Sequence, residues 1–248
     1  MKQGVKTIWL DTVDSTQEEV RRNIGSLENL TAVAAMFQTA GKGQRGNKWS
    51  SGRGENLTFS LLLRPGQDGI RAIPAKEQFY ISIVSSLAVK ELLGSYDLRP
   101  CIKWPNDIYI GNKKICGMLI ENILGSDGMV KDSIIGIGIN VNQTDFPPQL
   151  MNPVSMAKVT HREYDIKDIL NAFLERFCTL LADDPEALRQ RYLDSLFRFG
   201  VKAEYTDTKT GEAFIGTIRG IDGEALLYVE MPDGSMRKFA FKEISYIL

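Results

Sequence analysis

Residues 98–142 constrain the fold more than any other part of the chain, because strand-like runs follow one another there with only tight turns between them. Residues 98–104 form one run, DIYIGNKKICGMLIEN supplies two short ones about a Gly-Asn turn, and IIGIGINVN follows the GSDG turn at 125–128. Parallel neighbours need a crossover of about a dozen residues or more, usually a helix, and none separates these runs. They are expected to pair as consecutive hairpins, so the fold is read as α+β with a mixed, largely antiparallel sheet.

Upstream, residues 7–10 read as a short strand running into DTVDSTQEEVRRNI, where Ser15 with Glu18 and Thr16 with Glu19 each fit a capping box at the start of a helix. Residues 30–38 form an apolar run short enough for a buried strand, and NLTFSLLLR places Leu57, Phe59, Leu61 and Leu63 on one face by period two. Helical spacing of apolar residues marks 77–93, 166–182 and 186–197, with Pro185 suited to a first turn. From Gly200 the pattern changes to short strands between DTKTGE, IDGE and PDGS turns, which predicts a small β-barrel of about 50 residues. The domains are therefore drawn at 1–197 and 198–248.

With 248 residues, 43% hydrophobic, the chain can bury a sizeable core and belongs to neither the disordered nor the disulfide-framed class. Its 30 Lys and Arg against 31 Asp and Glu give a net charge of -1, so attraction to an anion must come from local clustering. Cys101, Cys116 and Cys178 form no CxxC pair, and His161, the single histidine, sits in the loop-like KVTHREYD. Zinc, haem and a histidine-based triad are not expected. The longest apolar stretch, residues 79–89, falls well short of the roughly 18 residues of a membrane span, and the chain is expected in the cytoplasm with no membrane partner.

Positive charge concentrates in GKGQRGNKW, residues 41–49, where glycines let backbone approach a ligand while Lys42, Arg45 and Lys48 bring charge to the same place. A phosphate or carboxylate is the natural ligand, although a solvated basic loop would have the same composition. The string does not match a Walker A loop, which needs GxxxxGK and then Ser or Thr. A second cluster, KWPNDIYIGNKKICG, places Lys103, Asn106, Asp107 and Lys114 about a strand end, or merely about a charged turn. GIGINVN has Val141 where a dinucleotide fingerprint has its last glycine and lies in no βαβ unit, so NAD is not expected. Its alternating glycines suit a strand on which a flat ligand, or a closely packed helix, lies against the backbone.

DST at 14–16, GKGQRGNKW, KWPND at 103–107, KKICG at 113–117, GIGINVN and the terminal β-rich segment occur in that order. This ordered set resembles the biotin protein ligases, or biotin-[acetyl-CoA-carboxylase] ligases, over essentially the whole chain. The resemblance implies a catalytic domain related to lipoate ligases and class II aminoacyl-tRNA synthetases, followed by an SH3-like barrel. It implies an enzyme that forms biotinyl-5'-AMP and pyrophosphate from biotin and MgATP, then biotinylates a lysine of a biotin carboxyl carrier protein. Lys114 would contact the biotin carboxylate and α-phosphate, with Lys42, Arg45 and Lys103 adding charge. Ser15, Thr16 and Gln38 would meet the ureido ring, with backbone of Gly41, Lys42 and Gly117. Trp49 would cover the ligand against the adenine, Asn140 and Asn142 would meet the base, and Asn106 and Asp107 would serve the phosphates and Mg2+. Gln44 departs from the family's GRGRRG loop by putting a neutral amide where an arginine helps hold the adenylate.

Only 13 residues precede Asp14, too few for the winged helix-turn-helix of bifunctional members, so a monofunctional form without a DNA partner is expected. A homodimer stays open. A lipoate or octanoate transferase would share the scaffold without KWPND and the barrel, and a non-enzymatic biotin sensor would bind ligand without modifying a carrier.

Overall fold

The computed structural model describes residues 5–150 and 152–247, the side chain of Arg45 excepted. In chain order it contains β1 (Lys6–Val13), α1 (Thr16–Arg22), β2 (Thr31–Gln38), β3 (Leu57–Leu63), α2 (Phe79–Gly94), β4 (Pro100–Lys103), β5 (Asp107–Ile110), β6 (Lys113–Leu124) and β7 (Val130–Ile139). Then come α3 (Met156–Thr160), α4 (Ile166–Leu181), α5 (Pro185–Asp194), β8 (Lys202–Asp207), β9 (Ala213–Ile221), β10 (Leu227–Glu230), β11 (Met236–Phe239) and β12 (Ile244–Tyr246).

Among the described residues the strands form two sheets. The first runs β1-β2-β3-β7-β6-β5-β4. Its β1–β2 pair is parallel, since α1 supplies the crossover, and the other pairs are antiparallel, as the tight turns of 98–142 require. The second, β11-β10-β9-β8-β12, is antiparallel throughout.

β3 is buried along its length, and its two faces differ in chemistry. Leu57, Phe59, Leu61 and Leu63 join the main core with α2 and α4, where Phe59 meets Phe173 edge-on at 5.1 Å. Leu62 joins a smaller cluster with Val20, Val33 and Ile134 beneath α1, and Thr58 and Ser60 share that face by strand alternation. α4 buries Ile166, Ile169, Leu170, Phe173, Leu174, Phe177, Leu180 and Leu181, a helical stripe, and the carboxylate of Asp165 caps it by accepting from the Lys167 N–H at 2.7 Å. Asp184 caps α5 in the same way, with Pro185 in its first turn.

The main core continues from the first sheet through Leu188, Tyr192 and Leu196 to Tyr205, Ile218, Leu227, Val229, Phe239 and Ile244 of the second. Across the junction Trp104 meets Phe241 edge-on at 6.2 Å, and the Tyr192 hydroxyl donates to the Pro105 carbonyl at 2.7 Å.

Three local expectations are corrected. Ser15 stands at the N-cap of α1, but its hydroxyl caps nothing, and Glu18 and Glu19 turn to Lys42 and Arg22 instead, so neither capping box forms. A short helix not expected from periodicity, α3, follows Ser155, whose hydroxyl accepts from the Lys158 N–H at 3.2 Å, and ends at His161 in the left-handed region. β6 is a single strand of 12 residues where a short one was expected.

Candidate functional site

The β7 register places Gly138 opposite Thr58 of β3 and Gly117 of β6, and Gly136 opposite Ser60. Gly136 and Gly138 thus present bare backbone on the α1 side of the sheet while Ile135, Ile137 and Ile139 fill the core. A cavity of about 290 Å3 opens over this floor. Ser15, Thr16, Gln38, Lys42, Gln44, Trp49, Lys103, Asn106, Asp107, Lys114 and Gly117 all line it, so segments far apart in sequence meet in one place.

One end is neutral and hydrogen-bonding. The Thr16 N–H donates to Gln38 Oε1 at 2.8 Å, the Thr16 and Ser60 hydroxyls lie 2.9 Å apart, and Ser60 donates to Gln17 Oε1 at 3.0 Å. Gln17 Nε2 in turn donates to Glu121 Oε2 at 2.7 Å. This network fixes Gln38 through its oxygen, and its amide nitrogen has no partner among the described residues. The Ser15 hydroxyl is fully buried and also unpartnered. A buried polar group left without a partner costs about 1 to 3 kcal/mol, so the Ser15 hydroxyl suits a polar ligand atom, and the half-buried Gln38 amide is free to donate to one.

The other end carries charge. Lys114 Nζ lies 2.7 Å from Asp107 Oδ1 at the mouth of the β5–β6 hairpin. The Lys103 ammonium makes no hydrogen bond or ion pair among the described residues; it lies 5.1 Å from the Tyr109 ring centroid and 5.0 Å from that of Tyr246. Burial is the main influence on it and lowers its pKa from the ordinary lysine range. Lys42 leans out to Glu18 Oε1 at 2.5 Å, a hydrogen bond that is the first cause of Glu18's lowered pKa.

The glycine-rich loop folds back on itself. Lys42 bridges to Lys48, the Gly43 N–H donates to the Asn47 carbonyl at 2.7 Å, and a 3₁₀ turn spans Gln44–Gly46. This returns Trp49 to the sheet, where a Cβ on Gly138 would stand 2.3 Å from the indole and one on Gly117 would stand 3.2 Å from it. Only glycine allows that approach. Gly41, buried beneath the Trp49 carbonyl, is equally restricted, since a Cβ there would lie 2.4 Å from that oxygen. The indole N–H is buried without a partner.

Not every expected residue arrives. Asn140 and Asn142 do not line the cavity: Asn140 Nδ2 donates to the Val154 carbonyl at 3.0 Å, and Asn142 grips the Tyr164 backbone through both ends of its amide. They stand where β7 leaves the sheet, and they tie down the segments leading to α3 and α4. Asn106 reaches the cavity but is partly occupied, its amide donating to the Met118 carbonyl at 2.6 Å. The Arg45 side chain lies outside the described residues.

Gln17, Thr58, Ser60, Lys242 and Tyr246 line the cavity without having been singled out in the sequence. Thr58 and Ser60 had a signal, polar residues at alternate positions of an otherwise apolar run. Lys242 and Tyr246 had none, because they come from the β11–β12 turn and from β12, at the far end of the chain. Among the described residues no three His, Cys, Asp or Glu side chains cluster as a metal site, and no helix is long and apolar enough to cross a membrane.

Fold and cavity together define a mixed-sheet protein with a cavity whose lining is neutral and hydrogen-bonding at one end and cationic at the other. Residues 9–140, more than half of the chain, match the biotin/lipoate A/B protein ligase family. The bifunctional ligase/repressor BirA of Bacillus subtilis (strain 168) is 31% identical over 241 residues, covering 93% of this chain and 71% of that protein. The biotin--[acetyl-CoA-carboxylase] ligase of Paracoccus denitrificans is 30% identical over 236 residues, covering 91% and 94%. The biotin protein ligase of Aquifex aeolicus in complex with biotin and ATP superposes with a TM-score of 0.78 at 27% identity, covering 97% of each chain. The chain belongs to the biotin/lipoate A/B protein ligase family.

Proposed function

We propose that the chain is a biotin protein ligase, which joins biotin to AMP at the expense of MgATP and passes the biotinyl group to a lysine of a biotin carboxyl carrier protein. The observation that carries this is the cavity's pair of unlike ends. Biotin has a neutral ureido ring at one end and a carboxylate at the other, joined by an apolar chain, and the cavity offers unpartnered Ser15 and Gln38 groups at one end and Lys103 and Lys114 at the other. The Aquifex ligase that shares the fold holds biotin and ATP.

In the first step the biotin carboxylate oxygen attacks the α-phosphorus of ATP, and the bond to the bridging oxygen breaks with release of pyrophosphate. Both reactants are anions, so what the protein supplies is placement and fixed positive charge rather than proton transfer. In this reading Lys114 meets both reactants, and Lys103 and Lys42 add to the positive field. Asp107, the one carboxylate lining the cavity among the described residues, would hold the Mg2+ that accompanies ATP, which would offset charge on the phosphates. A lone carboxylate suits this ion, which keeps its waters and phosphate ligands. In the second step the carrier's lysine amine attacks the mixed anhydride carbonyl and AMP leaves.

Residues 1–197 form the catalytic domain in this assignment and 198–248 an SH3-like barrel, and the enzyme works in the cytoplasm, on carboxylase carriers. Isotope exchange between pyrophosphate and ATP tests the first step. Exchange should depend on biotin and not respond to lipoate; exchange driven by lipoate, or by neither acid, overturns the assignment.

A further inference from the structure

Lys103 reaches the cavity with no carboxylate at ion-pair distance among the described residues, Asp107 attracting it only from farther off, and its ammonium packs against two aromatic rings. The rings belong to different sheets: Tyr109 is in β5, and Tyr246 is in β12, three residues after Glu243 at the far end of the chain. Phe197, in the connection between the sheets, backs both rings, at 5.9 Å from Tyr109 and 6.0 Å from Tyr246, and Tyr205 of β8 meets Tyr246 edge-on at 5.3 Å. The Tyr246 hydroxyl is buried with no partner, so its hydrogen bonding does not explain its place.

A cation between aromatic faces keeps its charge and its N–H donors without being neutralised, unlike one paired with a carboxylate. Lys114 and Lys42 are both paired, with Asp107 and Glu18. Lys48 and Lys242 also line the cavity without an ion pair among the described residues, but Lys103 is the one whose ammonium is set over two aromatic rings. We propose that Tyr246, from the terminal sheet, is a positioning residue for Lys103: together with Tyr109 it clamps the ammonium where the reacting anions meet, making the terminal sheet part of the adenylating site.

This rests on the ligase assignment, and a double-mutant cycle tests it. Biotin-dependent exchange between ATP and pyrophosphate is measured for the parent, Tyr246→Phe, Tyr246→Leu, Lys103→Met and Lys103→Met with Tyr246→Leu. Phenylalanine keeps the ring face and leucine keeps only apolar bulk, so Tyr246→Phe should stay within about twofold of the parent, while Tyr246→Leu should lower kcat about tenfold with KM for biotin nearly unchanged. In the Lys103→Met background Tyr246→Leu should add no more than about twofold. A residue that merely cements the sheets would cost the same in both backgrounds, and that result overturns the proposal, as does Tyr246→Phe failing as badly as Tyr246→Leu. Tyr246→Met replaces the leucine variant should that one not fold. A parent without biotin-dependent exchange would overturn the ligase assignment instead. Crystal structures of Tyr246→Phe and Tyr246→Leu then decide the clamp: Lys103 should stay between the rings in the first and swing away in the second, and an unmoved Lys103 in the second refutes it.

Discussion

Lys114 and Asp107 meet at 2.7 Å with no ligand between them, so each holds the other's charge until anions arrive. Replacing Lys114 by alanine removes the cation we propose meets the reacting oxygens and leaves the carboxylate of Asp107 unpaired in the cavity. Loss of one preorganised contact of this kind costs about 3 kcal/mol, or roughly a hundredfold in rate. We expect Lys114→Ala to slow adenylate formation by at least that factor, read as pyrophosphate release, and a rate within about threefold of the parent would contradict the role. Gly138 is tested by addition. A methyl group there would overlap the Trp49 indole at 2.3 Å and raise the floor on which a flat ligand lies, so Gly138→Ala should weaken biotin binding about tenfold or more in a calorimetric titration. Unchanged affinity would place the ligand elsewhere. The charged and glycine-rich positions were legible in the sequence because motif spacing reports chemistry directly. Asn140 and Asn142 do not line the cavity, and their amides hold backbone instead, a distinction the sequence could not make, since an amide looks the same whether it faces a ligand or a backbone carbonyl.

Strands and helices were largely legible, because period-two and period-3.6 burial determine them and the tight turns of 98–142 leave few topologies. The parallel β1–β2 pair follows from α1 lying between the two strands. What periodicity could not reveal was α3, five residues long and held by the Ser155 cap and the backbone bond from the Met156 N–H to the Asn140 carbonyl. The loop of residues 39–56 is the element whose conformation matters most. Its Trp49 lies on the floor that a flat ligand needs, with the indole N–H buried and unpaired, so ligand entry requires the indole to lift and the loop to settle again over the bound molecule. Hydrogen exchange across residues 39–56 should slow when biotin and ATP are added together. Exchange unaffected by both ligands would show that the loop does not close on them.

Over the whole molecule one buried cluster runs through both sheets, so the terminal sheet should not unfold alone. Ile218 is fully buried in that sheet, and its carbonyl accepts from the Gly200 N–H at 3.0 Å. Ile218→Ala should cost about 2 to 5 kcal/mol and lower a single calorimetric transition. Two separate transitions would mean that the sheets are independent. This continuity also explains why Lys242 and Tyr246 escaped notice as cavity residues: nothing in a local pattern tells which distant strand a terminal segment will be packed against. The ligase assignment joins all three scales, and its most direct test is covalent. A biotin carboxyl carrier domain is incubated with the chain, biotin and MgATP and then examined by mass spectrometry. We expect one biotinyl group on one carrier lysine, absent when ATP is omitted or Lys114 is alanine. A carrier that stays unmodified while the chain binds biotin and ATP would contradict a ligase and leave a protein that only binds them.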